Sequence, residues 1–292
     1  MSAIVVPCMH RIAAPPTALA NISAIAFREL RDAVRSRWFL LDTIAFLGLG
    51  LGVSYISSAS AGGAGLSGFG RTTAGLLNLV LLVVPLMSLT AGASSVASDR
   101  ERGMLAYLLA QPIARWELLV GKYVGISAAL LACIALGLGG CAGILAWKGE
   151  ATNPSSIVWL AGLSFALALA MLSVGMLVSV LARKASVAVG TAVFLWLALV
   201  FATDLGLMAG TLAFKLRIET LFYLCVANPL QVFKMWSLHA VDTSLDVLGP
   251  AGLYAMDTYG ERVAVLFALV FAAWIAVPLA LAIAIFSRRS PV

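Results

Sequence analysis

Six apolar runs leave this chain little choice of fold. They lie near residues 38–58, 72–97, 117–146, 156–182, 186–208 and 263–286. A helix needs about 20 apolar residues to cross a hydrocarbon core. Lipid offers no partner for a free amide or carbonyl, so such a run must satisfy its own backbone by coiling into a helix. The third run is long enough to extend beyond the membrane. Composition points the same way: 62% of the 292 residues are hydrophobic, 11% are charged and the mean hydropathy is +1.03. Soluble domains have about 25% charged residues. The expectation is an all-α membrane protein with six transmembrane helices.

A net charge of +6 and a pI near 9.4 could suggest a nucleic-acid partner. The cations, however, sit at the ends of the apolar runs, not in one patch interleaved with aromatics, and that distribution encodes topology. With the N-terminus inside, the cytosolic set holds thirteen of the nineteen: Arg11, Arg28, Arg31, Arg35, Arg37, Arg100, Arg102, Arg115, Lys122, Arg183, Lys184, Arg288 and Arg289. Arg71, Lys148, Lys215, Arg217, Lys234 and Arg262 fall outside. Both termini are therefore expected in the cytosol, with the Ser98–Lys122 loop on the same side.

Between the runs the chain has distinct parts. Residues 1–20, with Pro7, Pro15 and Pro16, read as a flexible tail without the basic start and continuous apolar core of a signal peptide. From Asn21 to Arg37, Ile22, Ile25, Ala26, Leu30, Ala33 and Val34 recur at helical spacing opposite Arg28, Arg31, Asp32 and Arg35. This pattern predicts an amphipathic helix lying along anionic lipid heads. The 98–122 loop is charged at its start and amphipathic after it. Ser98 and Glu101 have capping-box spacing, Asp99 and Glu101 suit a positive helix N-terminus, and Pro112 ends the element. Leu105, Leu108 and Leu109 would form its apolar ridge. Residues 209–262 are too polar to span and are expected to form an outer segment of two short helices and loops.

The run Arg100-Glu101-Arg102-Gly103, then Leu105, Leu108-Leu109, Pro112, Arg115-Trp116-Glu117 and Gly121-Lys122, resembles the loop between the second and third membrane helices of type-2 ATP-binding-cassette (ABC-2) exporter permeases. Met104 and Ala106 stand where that pattern usually has Thr and an acidic residue. The resemblance implies one permease domain over 21–292, an elbow helix at 21–37 and a cytosolic coupling helix. It also implies a separate cytosolic ATPase that binds ATP and Mg, and a permease homodimer in a bacterial cytoplasmic membrane. The coupling residues it implies are Asp99, Glu101, Arg102, Gly103, Leu105, Leu108, Leu109 and Pro112. Asn228-Pro229, Phe233-Lys234, Leu248-Gly249 and the terminal Arg288-Arg289 are similar to the branch serving nitrous oxide reductase maturation. That similarity implies work on a copper-sulfur centre and a periplasmic partner at 209–262. Export of a lipid, drug or other small molecule is the alternative, and an ion-coupled carrier is the reading from another class.

Other motifs carry less. Gly63 to Gly68 satisfies G-x-G-x-x-G but has no strand before it and falls in an outer turn. No G-x-x-x-x-G-K-[ST] occurs, so the chain has no P-loop and is not expected to be an enzyme or to carry its own cofactor. Gly48/Gly52, Gly121/Gly125, Gly139/Gly143 and Gly206/Gly210 repeat at four-residue spacing, which lets helix backbones approach closely. Asp42 lies about 6 Å along its helix from Trp38, and Asp204 about 27 Å from Ser186. Each is therefore near a water interface rather than at the depth of a proton relay. Met235 and His239, four apart, are weak candidates for a copper contact, with surface and packing roles the plainer reading. Cys8, Cys133, Cys141 and Cys225 form no C-x-x-C pair. His10 and His239 fall in opposite compartments, and no catalytic triad or metal-binding H-E-x-x-H is present.

Overall fold

The computed structural model describes residues 17–60, 67–111, 113–147, 154–212, 218–240 and 260–288. All regular structure within them is helical. Helix α1 spans Ala18–Arg35, α2 Arg37–Ser60, α3 Ser67–Glu101, α4 Met104–Leu109 and α5 Arg115–Trp147. Then come α6 at Pro154–Leu181, α7 at Ala185–Leu212, α8 at Ile218–Val226 and α9 at Pro229–Ala240. A 3-10 turn at Gly260–Arg262 leads into α10, Val263–Arg288.

This is a multi-span membrane protein. Ala74–Glu101, Arg115–Ile144, Ser155–Leu181 and Val263–Arg288 are each long and apolar enough to cross a bilayer. The α1–α2 pair reaches that standard only when taken together across a bend of 64°, and Ala185–Phe201 of α7 is a shorter apolar helix. Among the described residues, four helices, or five with the bent pair, meet that standard, against six apolar runs in the sequence. Trp116 and Trp147 are both exposed, one at either end of α5. They are separated by about 46 Å of helix, close to a whole bilayer with its headgroups.

Helix α6 sits at the centre, packed on α3, α10, α5 and α9, while α3 also takes α7 and α2. The α3–α6 crossing is backbone on backbone. A Cβ at Gly92 would fall 2.7 Å from the Leu172 carbonyl oxygen, and one at Gly175 would fall 2.5 Å from that of Leu89. Near it the Ser179 hydroxyl accepts the amides of Val96 and Ala97 at 3.0 and 2.9 Å. The amphipathic helix begins three residues earlier than expected, so residues 18–20 belong to α1 rather than to a flexible tail. Residues 1–16, and Gly63 to Leu66 of the glycine motif, lie outside the described residues.

Within 209–262 the two short helices expected are α8 and α9. Phe222, Cys225, Val232, Phe233 and Met235 are buried in the common core, and α9 packs on α6 and α10. Trp236 lies 5.9 Å from the Phe271 ring and 6.4 Å from that of Phe267. Asn228 sets the start of α9: its Oδ1 accepts the Leu230 amide at 3.0 Å, while its Nδ2 donates to the Leu199 carbonyl at 2.7 Å. A capping Asn followed by Pro at the first helical position is a pre-organised helix start. Here it also fastens α9 to α7.

Candidate functional site

At one end of the bundle the chain leaves α3, makes the six residues of α4 and enters α5. The turn is set by Gly103 at φ 72°, a left-handed conformation that glycine adopts freely. The amides of Arg102 and Gly103 donate to the carbonyls of Ser98 and Arg100 at 3.1 and 3.2 Å, closing α3. The capping box expected at Ser98 and Glu101 is therefore absent. Those residues are the last turn of α3, where the amides already have carbonyl partners four residues back, so no helix starts there.

The box's acidic half occurs at α5 instead. Glu117 is the third helical residue, and its Oε2 accepts the Ala114 amide at 3.3 Å together with Asn21 Nδ2 of α1 at 2.9 Å. Glu101 does serve a helix N-terminus, but a different one: its Oε2 accepts the Ala185 amide at the start of α7, 3.1 Å away.

The α4 ridge is turned inward. Leu105 and Leu108 are 4% and 7% exposed and Leu109 packs at the edge of the same core, whereas Met104 and Tyr107 are 39% and 66% exposed. The leucine stripe thus seats α4 on its own chain, and the outward face belongs to residues between its teeth. Arg102 and Gly103 are exposed beside it, and Pro112 lies outside the described residues.

Asp99 does not point to an outside partner. Its Oδ2 lies 2.6 Å from Lys122 Nζ, and Glu29 Oε1 of α1 lies 2.6 Å away on the same ammonium. Lys122 is 1% exposed and reaches the Ser95 carbonyl at 3.3 Å as well. An ammonium so enclosed is stable only when paired and hydrogen-bonded. This one joins α1, α3 and α5 at a single point. Gly121 and Gly125 make the approach possible, since a Cβ at the first would meet Ile25 at 2.8 Å and at the second the Ala26 carbonyl oxygen at 2.5 Å.

Two arginines complete the joint. Arg100 donates from Nη1 to the Ala182 carbonyl at the end of α6, and Arg115 from Nη1 to the Ser287 carbonyl in the last turn of α10 at 3.3 Å. Residues 99–122 are thus bonded by side chains to α1, to both sides of the α6–α7 turn and to α10. The charge count had given Lys122, Arg100 and Arg115 only a topological meaning. One signal was available: Glu29 falls in the apolar stripe of Ile22, Ile25, Ala26 and Ala33, where a carboxylate needs a buried partner.

The weak metal candidates are not brought together as a site. Met235 is buried in the core and His239 is half-buried at the end of α9. Among the described residues no three His, Cys, Asp or Glu side chains cluster to hold a metal ion.

Residues 23–290 match a family described as "ABC-2 family transporter protein". The chain is 31% identical over 271 residues to the "Probable ABC transporter permease protein NosY" of Stutzerimonas stutzeri, an overlap of 91% of this chain and 97% of that protein. It is equally similar, over the same shares, to the protein of that name from Pseudomonas aeruginosa.

Proposed function

This chain belongs to the ABC-2 family of transporter permeases, and from that premise we propose that it converts ATP hydrolysis on a separate cytosolic ATPase subunit into movement of its own helices. Residues 99–112 receive the stroke. The observation that carries this reading is the placement of α4, seated by Leu105 and Leu108 on the core while Met104 and Tyr107 face out. Flanking residues are bonded to α1 and to the ends of α6, α7 and α10. A push on such a stub moves several helices rather than bending one loop. The thirteen cations assigned to this end support a cytosolic position for it and for both termini.

The receiving face is Met104 and Tyr107, with Arg102 beside them for polar registration. Leu105, Leu108 and Leu109 hold the stub in register from beneath. Tyr107→Asp is expected to abolish co-purification of the ATPase while the permease stays inserted and its unfolding temperature unchanged. Undiminished co-purification would remove the assigned face. Leu108→Ala should instead lower stability by about 2–5 kcal/mol, the range for truncating a buried leucine.

The cargo reading rests on similarity. Likeness to NosY over 91% of the chain, with the Asn228-Pro229 and Phe233-Lys234 motifs, supports service to nitrous oxide reductase and its copper-sulfur centre. A homodimer with six spans per copy, and a partner protein at the end remote from α4, belong to the same reading. Deleting the chain from its host should leave the reductase without that centre. A fully loaded reductase would redirect the reading to export of a lipid or other small molecule.

A further inference from the structure

Helix α7 starts without a cap of its own. Lys184 stands at its N-cap, the carbonyl accepting the Ala188 amide at 3.1 Å, with Arg183 just before it. A lysine side chain offers no acceptor to the orphan amides of a first turn, and both cations oppose the positive end of the helix dipole. The acceptor comes from another element. Glu101, the last residue of α3, takes the Ala185 amide on Oε2 at 3.1 Å in an exposed position. Its neighbour Arg100 donates to the Ala182 carbonyl on the other side of the same turn.

The two sides of that turn are held very differently. Helix α6 is locked to α3, since their backbones meet at Gly92 and Gly175 and the Ser179 hydroxyl accepts two α3 amides. The first turns of α7 reach the core only through the methyl groups of Ala185, Ala188 and Ala192, and the Thr191 hydroxyl is spent on the Val187 carbonyl of its own helix. Three methyls gain little dispersion energy. Larger side chains, Leu195, Trp196, Leu199 and Val200, join the core farther along, where Asn228 Nδ2 also donates to the Leu199 carbonyl at 2.7 Å. Helix α7 is thus pinned about 21 Å from its start, and its start is held by one solvent-exposed bond. We propose that Glu101 is the positioning residue through which α4 commands α7. The bond is made in this structure. When the ATPase draws α4 and the last turn of α3 away, it breaks, and the near end of α7 swings off α3 about Asn228 while α6 stays in place. This rests on the reading of α4 as the part that receives the stroke. A carboxylate at an exposed helix N-terminus shifts a two-state balance by about two- to fivefold, small enough for nucleotide-driven movement to reverse.

Spin labels test this in a full-length Cys8→Ser chain diluted with unlabelled copies, so that each distance lies within one chain. Ser23→Cys on α1 is the fixed point, paired with Val187→Cys near the start of α7 or with Phe201→Cys beyond the pivot. All three positions are exposed, and Cys133, Cys141 and Cys225 are buried. In the chain alone, Glu101→Ala should raise a longer 23–187 population about two- to fivefold over wild type. Glu101→Gln, which keeps an acceptor, should raise it less, and the 23–201 distance should stay fixed. Trapping ATP on the wild-type complex should populate the same longer 23–187 distance. Equal 23–187 distributions in wild type and Glu101→Ala, or in the two nucleotide states, overturn the proposal. So does a change at 23–201, which would mean that α7 translates as a whole. Glu101→Ala should still co-purify the ATPase, and a loss there would overturn the proposal by making Glu101 part of the docking face. A wild-type chain that bound no ATPase would strike the reading of α4 instead, because the distances in the chain alone decide whether Glu101 holds α7.

Discussion

Lys122 holds two carboxylates with one ammonium in a place water does not reach, and its neighbours explain why that is tolerated. The Glu29 and Asp99 side chains keep 13% and 15% of their surface open, so the excess negative charge is partly solvated while the ammonium is not. Removing the cation alone is the severe change. Lys122→Met should destabilise the chain by about 3–5 kcal/mol, because two carboxylates are left facing each other without compensation. Adding Glu29→Gln and Asp99→Asn to it should recover much of the loss, since a neutral, well-packed set often replaces a buried ion cluster at little cost. Thermal unfolding in detergent measures both. A Lys122→Met chain as stable as the wild type would mean that the triad bears no weight. One member of this cluster was legible in the sequence, because Glu29 interrupts an apolar stripe at helical spacing. Its partners were not, since they come from helices whose relative rotation a linear pattern does not record.

Helices that cross this closely depend on what each glycine meets, and the four-residue spacing does not say. Gly121 and Gly125 pack on α1, yet Gly48, Gly52, Gly139 and Gly143 have the same spacing and nothing within 4 Å of where a Cβ would stand. The equally close α3–α6 crossing uses single glycines, Gly92 on α3 against Gly175 on α6, which no spacing rule picks out. Both Cβ positions there would collide with backbone rather than with a movable side chain, so the helices themselves would have to separate. Gly175→Val is expected to cost at least the roughly 1–3 kcal/mol typical of overpacking, whereas Gly139→Val should be nearly neutral. Comparing their unfolding temperatures checks the assignment, and equal losses would refute it. Element type was readable because the bilayer dictates it, and element ends were readable where a turn residue such as Gly103 fixes them. The two short helices expected between 209 and 262 are α8 and α9, but how deeply they pack was not legible, for a physical reason. The stretch from 209 to 262 is polar on average, but Phe222, Val232, Phe233 and Met235 make its middle a core element.

At the scale of the whole molecule, the side-chain bonds around α4 divide the chain into a joint and the spans it commands. Glu29, Asp99 and Lys122 fix α1 to α3 and α5. Glu101 and Arg100 hold the two sides of the α6–α7 turn, and Arg115 holds the end of α10. At the opposite end α9 is tied to α7 through Asn228 and stacks on α10 through Trp236. If the joint moves as a body, α1 must travel with α4 through the ATPase cycle. Spin labels at Ser23→Cys on α1 and Ala110→Cys after α4 report this, since both positions are exposed and Cys133, Cys141 and Cys225 are buried. In a Cys8→Ser background with the ATPase partner bound, the inter-label distance should be the same in the nucleotide-free and ATP-trapped states. Lys122→Met should split it into two populations and lower ATPase-driven function together. A distance that changes between states in the wild type would show that α1 slides on the joint, and force would then reach the spans through α3 and α5 alone.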